Sequence, residues 1–214
     1  MLHSLTISKV KICGIKNIED ARAVFEAGAD ELGFHVGLEG GRSPLTADDA
    51  RKMIAQLPPT ASSVIVTSVR EAAKLIELAR TTHAGTLQLY GDVMPDAMRE
   101  VKHALPMVKL WKVLGTDEHS VEKAKEYEGA ADVIVLDTGK GGTGKTHDWN
   151  VSKKIASATS TPVILAGGLT SDNVAEAIQT VQPYGVDVNS GVSNEDGTKD
   201  IEKVKAFIKG VRSA

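Results

Sequence analysis

Cysteine is nearly absent from this chain: Cys13 is the only one among 214 residues. No internal disulfide can form, which fits a reducing cytoplasm. No apolar run approaches the ~20 residues that a helix needs to span a bilayer. The opening residues Met1-Leu2-His3-Ser4-Leu5-Thr6 lack a basic stretch followed by a long apolar one, so no signal peptide is expected. Excess charge is missing too. With 25 Lys and Arg against 28 Asp and Glu, the formal net charge is -3, which offers no electrostatic basis for a nucleic-acid or anionic-membrane partner. No Pro-, Ser- or charge-rich linker interrupts the chain, and residues 1–214 are expected to form a single domain. His35 and His147 have no companions at metal-ligand spacing, so no metal is expected.

What the chain does contain is a regular alternation. Short β-branched runs are predicted as strands at Lys9–Ile12, Glu31–Val36, Ser63–Thr67, Thr86–Leu89, Met107–Lys112, Asp132–Leu136, Val163–Ala166 and Val186–Asn189. Most are too continuously apolar for a sheet with one wet face and suit parallel strands covered on both sides. Amphipathic segments lie between them. Asn17 caps one that carries Ala21, Val24, Phe25 and Ala27 and stops at Gly28; Thr46 precedes another, stopped by Pro58-Pro59. Ser68 precedes Ala72, Leu75, Ile76 and Ala79, and Ser171-Asp172-Asn173 opens a later one. The last runs from Ile201 to Val211. Eight such pairs predict an α/β fold, a single (β/α)₈ TIM barrel with parallel strands; a doubly wound open sheet is the alternative.

In such a barrel, reactive groups belong at the C-terminal ends of strands, and a phosphate commonly sits in the loops after strands seven and eight. Cys13 ends the first strand and is followed by Gly14; Asp137 ends the sixth. A thiol and a carboxylate in these places suit a base and acid pair. The plain alternatives are a small buried hydrophobe for Cys13 and a loop-ordering carboxylate for Asp137. Gly167-Gly168 follow strand seven and Asn189-Ser190-Gly191 follow strand eight. Glycines there let backbone N–H groups approach a phosphate, or merely make tight turns.

The loop Gly139 to Thr146 matches G-x-x-x-x-G-K-T literally. It is a decoy on this reading: a nucleotide loop must run straight into a helix, whereas His147-Asp148-Trp149-Asn150 looks like the cap of the next one. A glycine-rich loop covering a ligand, with Lys145 as an anion contact, suits the segment better. Arg42, on the loop after strand two, is suited to a carboxylate, or is a solvated surface arginine.

Taken together these pieces resemble the phosphoribosylanthranilate isomerase family of tryptophan biosynthesis, over almost the whole chain. The resemblance rests on Lys11-Ile12-Cys13-Gly14-Ile15, Glu19-Asp20-Ala21, Glu26-Ala27-Gly28-Ala29-Asp30 and Leu32-Gly33-Phe34. It continues through Leu87-Gln88-Leu89, Leu136-Asp137-Thr138, Gly141-Gly142-Thr143-Gly144-Lys145-Thr146 and Leu165-Ala166-Gly167-Gly168-Leu169. It closes with Gly185-Val186-Asp187-Val188, Ser190-Gly191-Val192 and Lys199-Asp200. It implies an Amadori rearrangement of an N-linked aminoaldose to an aminoketose, without a cofactor. Asp137 would be the general acid that opens the furanose, and Cys13 the general base that takes the C2′ proton. Arg42 would hold the anthranilate carboxylate. Tyr90, Gly142, Gly144, Gly167, Gly168, Asn189, Ser190 and Gly191 would line the phosphorylated substrate. A monomer or a homodimer is expected.

Several positions depart from the family pattern. Tyr90 stands where a histidine is usual and Asn189 where a serine is usual; Val66-Thr67-Ser68 and the segment Phe34 to Arg42 also differ. A related isomerase of another phosphorylated aminosugar, or a non-catalytic phosphate-ligand binder, are the alternative functions.

Overall fold

The short apolar runs become eight parallel strands that close on themselves in sequence order, with β1 pairing β8. They are β1 (Lys9–Ile12), β2 (Glu31–His35), β3 (Ser62–Thr67), β4 (Thr86–Leu89), β5 (Lys109–Leu114), β6 (Val133–Leu136), β7 (Val163–Leu165) and β8 (Gly185–Val188). The helices are α1 (Ile18–Glu26), α2 (Ala47–Ile54), α3 (Ala72–Thr82), α4 (Pro95–Ala104), α5 (Ser120–Glu126), α6 (Trp149–Ala158), α7 (Val174–Val181) and α8 (Ile201–Arg212), with a 3₁₀ turn at Ser190–Val192. The structure is a computed structural model and describes residues 9–40, 45–138 and 146–214. The (β/α)₈ barrel expected from the alternation is the observed fold. Among the described residues, no helix is long and apolar enough to cross a membrane.

The strands lack alternation because both of their faces are covered. Ile12, Leu32, Phe34, Ile65, Leu87, Leu110, Ile134, Leu165 and Val186 point outward and share one cluster with helix residues such as Val24, Leu75, Met98, Ala177 and Phe207. Val64, Val66, Trp111, Val113, Val133, Val135 and Ile164 fill the barrel interior, with Cys13 and Ala166 at its upper rim. Each fully buried aliphatic side chain contributes roughly 1.5–3 kcal/mol, so the two layers together hold the strand ends in place.

Helix entry follows the local chemistry. Asn17 Oδ1 accepts from the Asp20 N–H at 2.7 Å. Thr46 and Asp49 form a reciprocal capping box on α2. Asp148 accepts from the Asn150 N–H at the start of α6, and Asp200 from the N–H groups of Glu202 and Lys203 at the start of α8. Ser68 behaves otherwise: the N-cap of α3 is Glu71, without a side-chain bond, and Ser68 Oγ accepts from the Glu39 N–H instead.

Two strands are displaced from their expected positions. β5 was expected at Met107–Lys112 but begins at Lys109, paired with Thr86, and extends to Leu114 opposite Leu136. Met107 is exposed and the Val108 N–H closes a turn onto the Leu105 carbonyl, so the chain has not yet joined the sheet there. β8 ends at Val188; Asn189, expected as its last residue, turns out of the strand with φ -125° and ψ -80°. β1 and β4 have the expected bounds, and β2, β3, β6 and β7 each differ by one residue at one end.

Candidate active site

On β1 the side chains alternate, so Ile12 packs outward while Lys11 and Cys13 face the barrel interior. Gly33 on β2 leaves room for both. A Cβ there would lie 3.0 Å from Cys13 Sγ and 3.0 Å from Lys11 Nζ. Cys13 is buried, and its Sγ lies 3.3 Å from His35 Nε2, contributed by the end of β2. Lys11 Nζ donates to Asp187 Oδ2 of β8 at 2.7 Å, a fully buried ion pair.

Electrostatics divides these groups. Burial pushes the Cys13 thiol up; Lys11 opposes this and Asp187 adds to it. Burial alone would lower the Lys11 ammonium, but Asp187 and Cys13 more than offset it, and the net direction is upward. Burial, with the positive charges of Lys11 and Lys199, pulls His35 down to about 4, so the imidazole is neutral near pH 7.

Asp137 follows β6 and is also buried. Its backbone N–H donates to Leu114 O, its Oδ1 accepts from the Thr138 N–H at 2.7 Å, and its Oδ2 accepts from the Tyr90 hydroxyl at 2.9 Å. Tyr90 packs against the interior cluster that holds Cys13. Burial first, then the charges of Asp137, Cys13 and Asp187, drive its hydroxyl well above its ordinary range. A neutral phenol therefore lies in the common field of acid and thiol.

The loops after β7 and β8 interlock. Gly167 and Gly168 have φ of 85° and 67°. A Cβ on Gly167 would lie 2.7 Å from Thr138 Cγ2 and 2.9 Å from Asp137 Oδ1, so the turn after β7 presses on the acid. Asn173 ties that loop, with Nδ2 donating to Gly168 O and Oδ1 accepting from the Thr170 N–H. Gly191 lies so close to the Leu169 carbonyl that a Cβ would come within 2.1 Å of it. Among the described residues, the N–H groups of Gly167, Gly168, Ser190 and Gly191 take no acceptor. Glycine-rich turns with unengaged N–H groups are of the kind that can receive an anion. Beneath these turns, Lys199 Nζ donates to Asn189 Oδ1 and Ser193 Oγ, both at 2.9 Å. Burial lowers Lys199 to about 8 against the opposing charges of Cys13, Asp20 and Asp187.

Cys13, Asp137, Tyr90, Gly167, Gly168, Asn189, Ser190 and Gly191 are thus gathered at one mouth, at the C-terminal ends of β1, β4, β6, β7 and β8. Arg42, Gly142, Gly144 and Lys145 lie outside the described residues. The helix after the glycine-rich loop does not begin until Trp149, under its Asp148 cap, as the sequence anticipated. His147 Nε2 sits 2.6 Å from Ser152 Oγ, and among the described residues no group of three His, Cys, Asp or Glu side chains could hold a metal ion.

The sequence reading assigned no role to four interior groups. In the sequence His35 has no companions at metal-ligand spacing, and Lys11, Asp187 and Lys199 stand only within the motifs of the family resemblance. A signal did exist for one of them: Asp187 is a charge inside the otherwise apolar β8, where a charge must find a partner.

Fold and rim define a class, the (β/α)₈-barrel proteins with a thiol and a carboxylate set across one mouth beside two interlocked glycine-rich loops. Comparison with known proteins gives the particular family. A sequence model described as N-(5'phosphoribosyl)anthranilate (PRA) isomerase matches residues 10–210. The N-(5'-phosphoribosyl)anthranilate isomerase of Methanocella arvoryzae is 43% identical over 210 residues, covering 96% of this chain and 99% of the relative. Monomers of the dimeric phosphoribosylanthranilate isomerase from Thermotoga maritima superpose with a TM-score of 0.85 at 33% identity, covering 97% of this chain and 100% of that one. A phosphoribosyl anthranilate isomerase in complex with reduced 1-(o-carboxyphenylamino)-1-deoxyribulose 5-phosphate gives a TM-score of 0.84 at 32% identity, with the same coverage. The chain belongs to the N-(5'-phosphoribosyl)anthranilate isomerase family.

Proposed function

We propose that this chain catalyses the Amadori rearrangement of N-(5-phosphoribosyl)anthranilate to 1-(2-carboxyphenylamino)-1-deoxyribulose 5-phosphate, with Asp137 as general acid and Cys13 as general base. The observation that carries the reading is the placement of both groups at one barrel mouth, beside the interlocked loops after β7 and β8. The free N–H groups of those loops take the 5′-phosphate. The family resemblance assigns Arg42 to the anthranilate carboxylate and Gly142 and Gly144 to substrate binding; all three lie outside the described residues.

Protonated Asp137 gives its proton to the ribose ring oxygen, and the C1′–O bond breaks to leave an iminium. The Cys13 thiolate takes the C2′ proton, giving an enolamine. The enol proton returns to Asp137 and the thiol proton passes to C1′, which regenerates both groups and leaves the ketone. The chemistry is proton transfer throughout. The Tyr90 hydroxyl both donates and accepts, so its contact with Asp137 serves the acid in either charge state. The protein works in the cytoplasm, as a monomer or a homodimer.

The test follows the fluorescence of freshly made phosphoribosylanthranilate with wild type, Cys13→Ala and Asp137→Asn. Rapid loss with wild type and at least ~100-fold slower loss with each folded variant is expected. Near-normal turnover by both variants would overturn the mechanism. No turnover by a well-folded wild type would move the assignment to another phosphorylated aminosugar.

A further inference from the structure

We propose that Lys112, on β5, is a positioning residue of the general acid: together with Tyr127 it fixes the turn after β4 and so sets the Tyr90 hydroxyl on Asp137. This rests on the reading of Asp137 as acid. Lys112 shares the outward face of β5 with Leu110 and Leu114 and is buried in the apolar layer around the barrel. A charge among apolar side chains is costly unless its donors are satisfied. Lys112 Nζ donates to Gly91 O at 2.7 Å and to Val113 O at 2.8 Å. The centroid of the Tyr127 ring lies 5.3 Å from Nζ, within cation–π reach. Burial lowers the ammonium to about 8, with Asp92 opposing and Lys123 adding, so it is charged near pH 7.

These bonds converge on four residues, Tyr90 to Val93. The Tyr90 N–H donates to Thr67 O, at the end of β3, at 2.9 Å. Gly91 O accepts from Lys112 and also from the Val93 N–H, the latter at 3.1 Å. Val93 O accepts from the hydroxyl of Tyr127, the residue that ends α5, at 2.8 Å. The turn is tied to β3 on one side and to β5 and α5 on the other.

Tyr90 opens this turn, and its hydroxyl reaches Asp137 Oδ2 at 2.9 Å. A side chain that spans the mouth keeps that contact only while its backbone is held, and small misplacements at a reacting group are costly to turnover. Lys112 lies on the opposite face of the strand wall from the interior cluster and never touches the substrate. A lysine of purely structural value would support the fold alone. One that acts through Tyr90 loses its effect on turnover once the Tyr90 hydroxyl is gone.

The test is a double-mutant cycle on phosphoribosylanthranilate turnover. Lys112→Met keeps a long apolar stem and removes the ammonium. It is expected to lower kcat at least about fivefold, with KM within about twofold, and to change kcat by less than about twofold when added to Tyr90→Phe. Tyr127→Phe keeps the ring beside the lysine and removes only the bond to Val93 O; it should lower kcat about threefold, again only where Tyr90 is intact. Unchanged kcat in both folded variants, or the same loss with and without the Tyr90 hydroxyl, would overturn the proposal; if Lys112→Met fails to fold, Tyr127→Phe decides alone. Hydrogen exchange gives a readout independent of turnover: the Tyr90 and Val93 amides should exchange at least about tenfold faster in the variants, with the β5 amides unchanged. If wild type fails to turn over phosphoribosylanthranilate while these two amides still quicken, the hold of Lys112 and Tyr127 on the turn stands and the substrate assignment falls.

Discussion

The Tyr90 hydroxyl donates to Asp137 Oδ2 at 2.9 Å, joining the residue after β4 to the residue after β6 across the barrel mouth. The other carboxylate oxygen is held by the Thr138 N–H. The acid is therefore oriented from two sides. A hydrogen bond to a charged group is worth about 1.5–3 kcal/mol. Tyr90→Phe is expected to lower kcat by about tenfold or more with a smaller change in KM. Tyr90→His, which restores the residue usual in the family pattern, should retain more activity than Tyr90→Phe. Near-normal kcat in Tyr90→Phe would show that the ring's packing matters and its hydroxyl does not.

The ion pair of Lys11 and Asp187 is buried at both ends, and Asp187 Oδ1 has no partner among the described residues. Lys11→Met leaves a lone carboxylate in the barrel and is expected to cost about 3–5 kcal/mol in urea unfolding. Lys11→Met combined with Asp187→Leu should be less destabilised than Lys11→Met alone. A double variant that loses the sum of the two single losses would exclude their coupling.

Gly167 and Gly28 form a matched pair. Both have positive φ, 85° and 98°, but nothing lies within 4 Å of a Cβ on Gly28, whereas one on Gly167 meets Asp137 and Thr138. Each Gly→Ala change should cost about 1 kcal/mol or more through backbone strain. Only Gly167→Ala is expected to lower kcat/KM strongly, since it pushes on the acid. Comparable kcat/KM in the two variants would remove Gly167 from the site.

The fold holds His35 at about 4 against an ordinary 6.5. Above pH 6.5 it is neutral in folded and unfolded chain alike, and it adds no pH dependence. Below that, the unfolded chain takes up a proton that the folded chain refuses. This contribution to stability therefore falls as pH falls from 6.5 and levels off near 4. The difference amounts to up to about 3 kcal/mol. Denaturant midpoints of wild type and His35→Leu measured across that window should differ in slope, with the variant less sensitive to acid. Parallel curves would place the acid sensitivity elsewhere.

The architecture was legible because burial on both faces leaves a mark on composition. Runs such as Val133-Ile134-Val135-Leu136 and Val64-Ile65-Val66 have no polar alternation, and Asn17, Thr46, Asp148 and Asp200 announce helix starts by local hydrogen bonding. Errors fell where a tertiary partner sets the boundary. Nothing local tells Met107-Val108 that pairing with β4 starts two residues later, or Asn189 that β8 has already ended. The two glycine turns could be placed after β7 and β8 from their order along the chain. That Gly167 presses on Asp137 could not be read there.

By itself the sequence determined the number and order of strands and helices, the positions of a thiol and a carboxylate at strand ends, and the family resemblance. These depend on short-range pattern, and each strand end points its residue to the same mouth once the strands are parallel. Only the closed barrel decided the surroundings of those groups. Lys11 and Asp187, 176 residues apart, meet because β1 pairs with β8. His35 reaches Cys13 because Gly33 opens the adjacent strand beside it, and Tyr90 reaches Asp137 across the rim. The ionisation of a buried group is set by its neighbours in space, and barrel closure chooses those neighbours without regard to their separation along the chain.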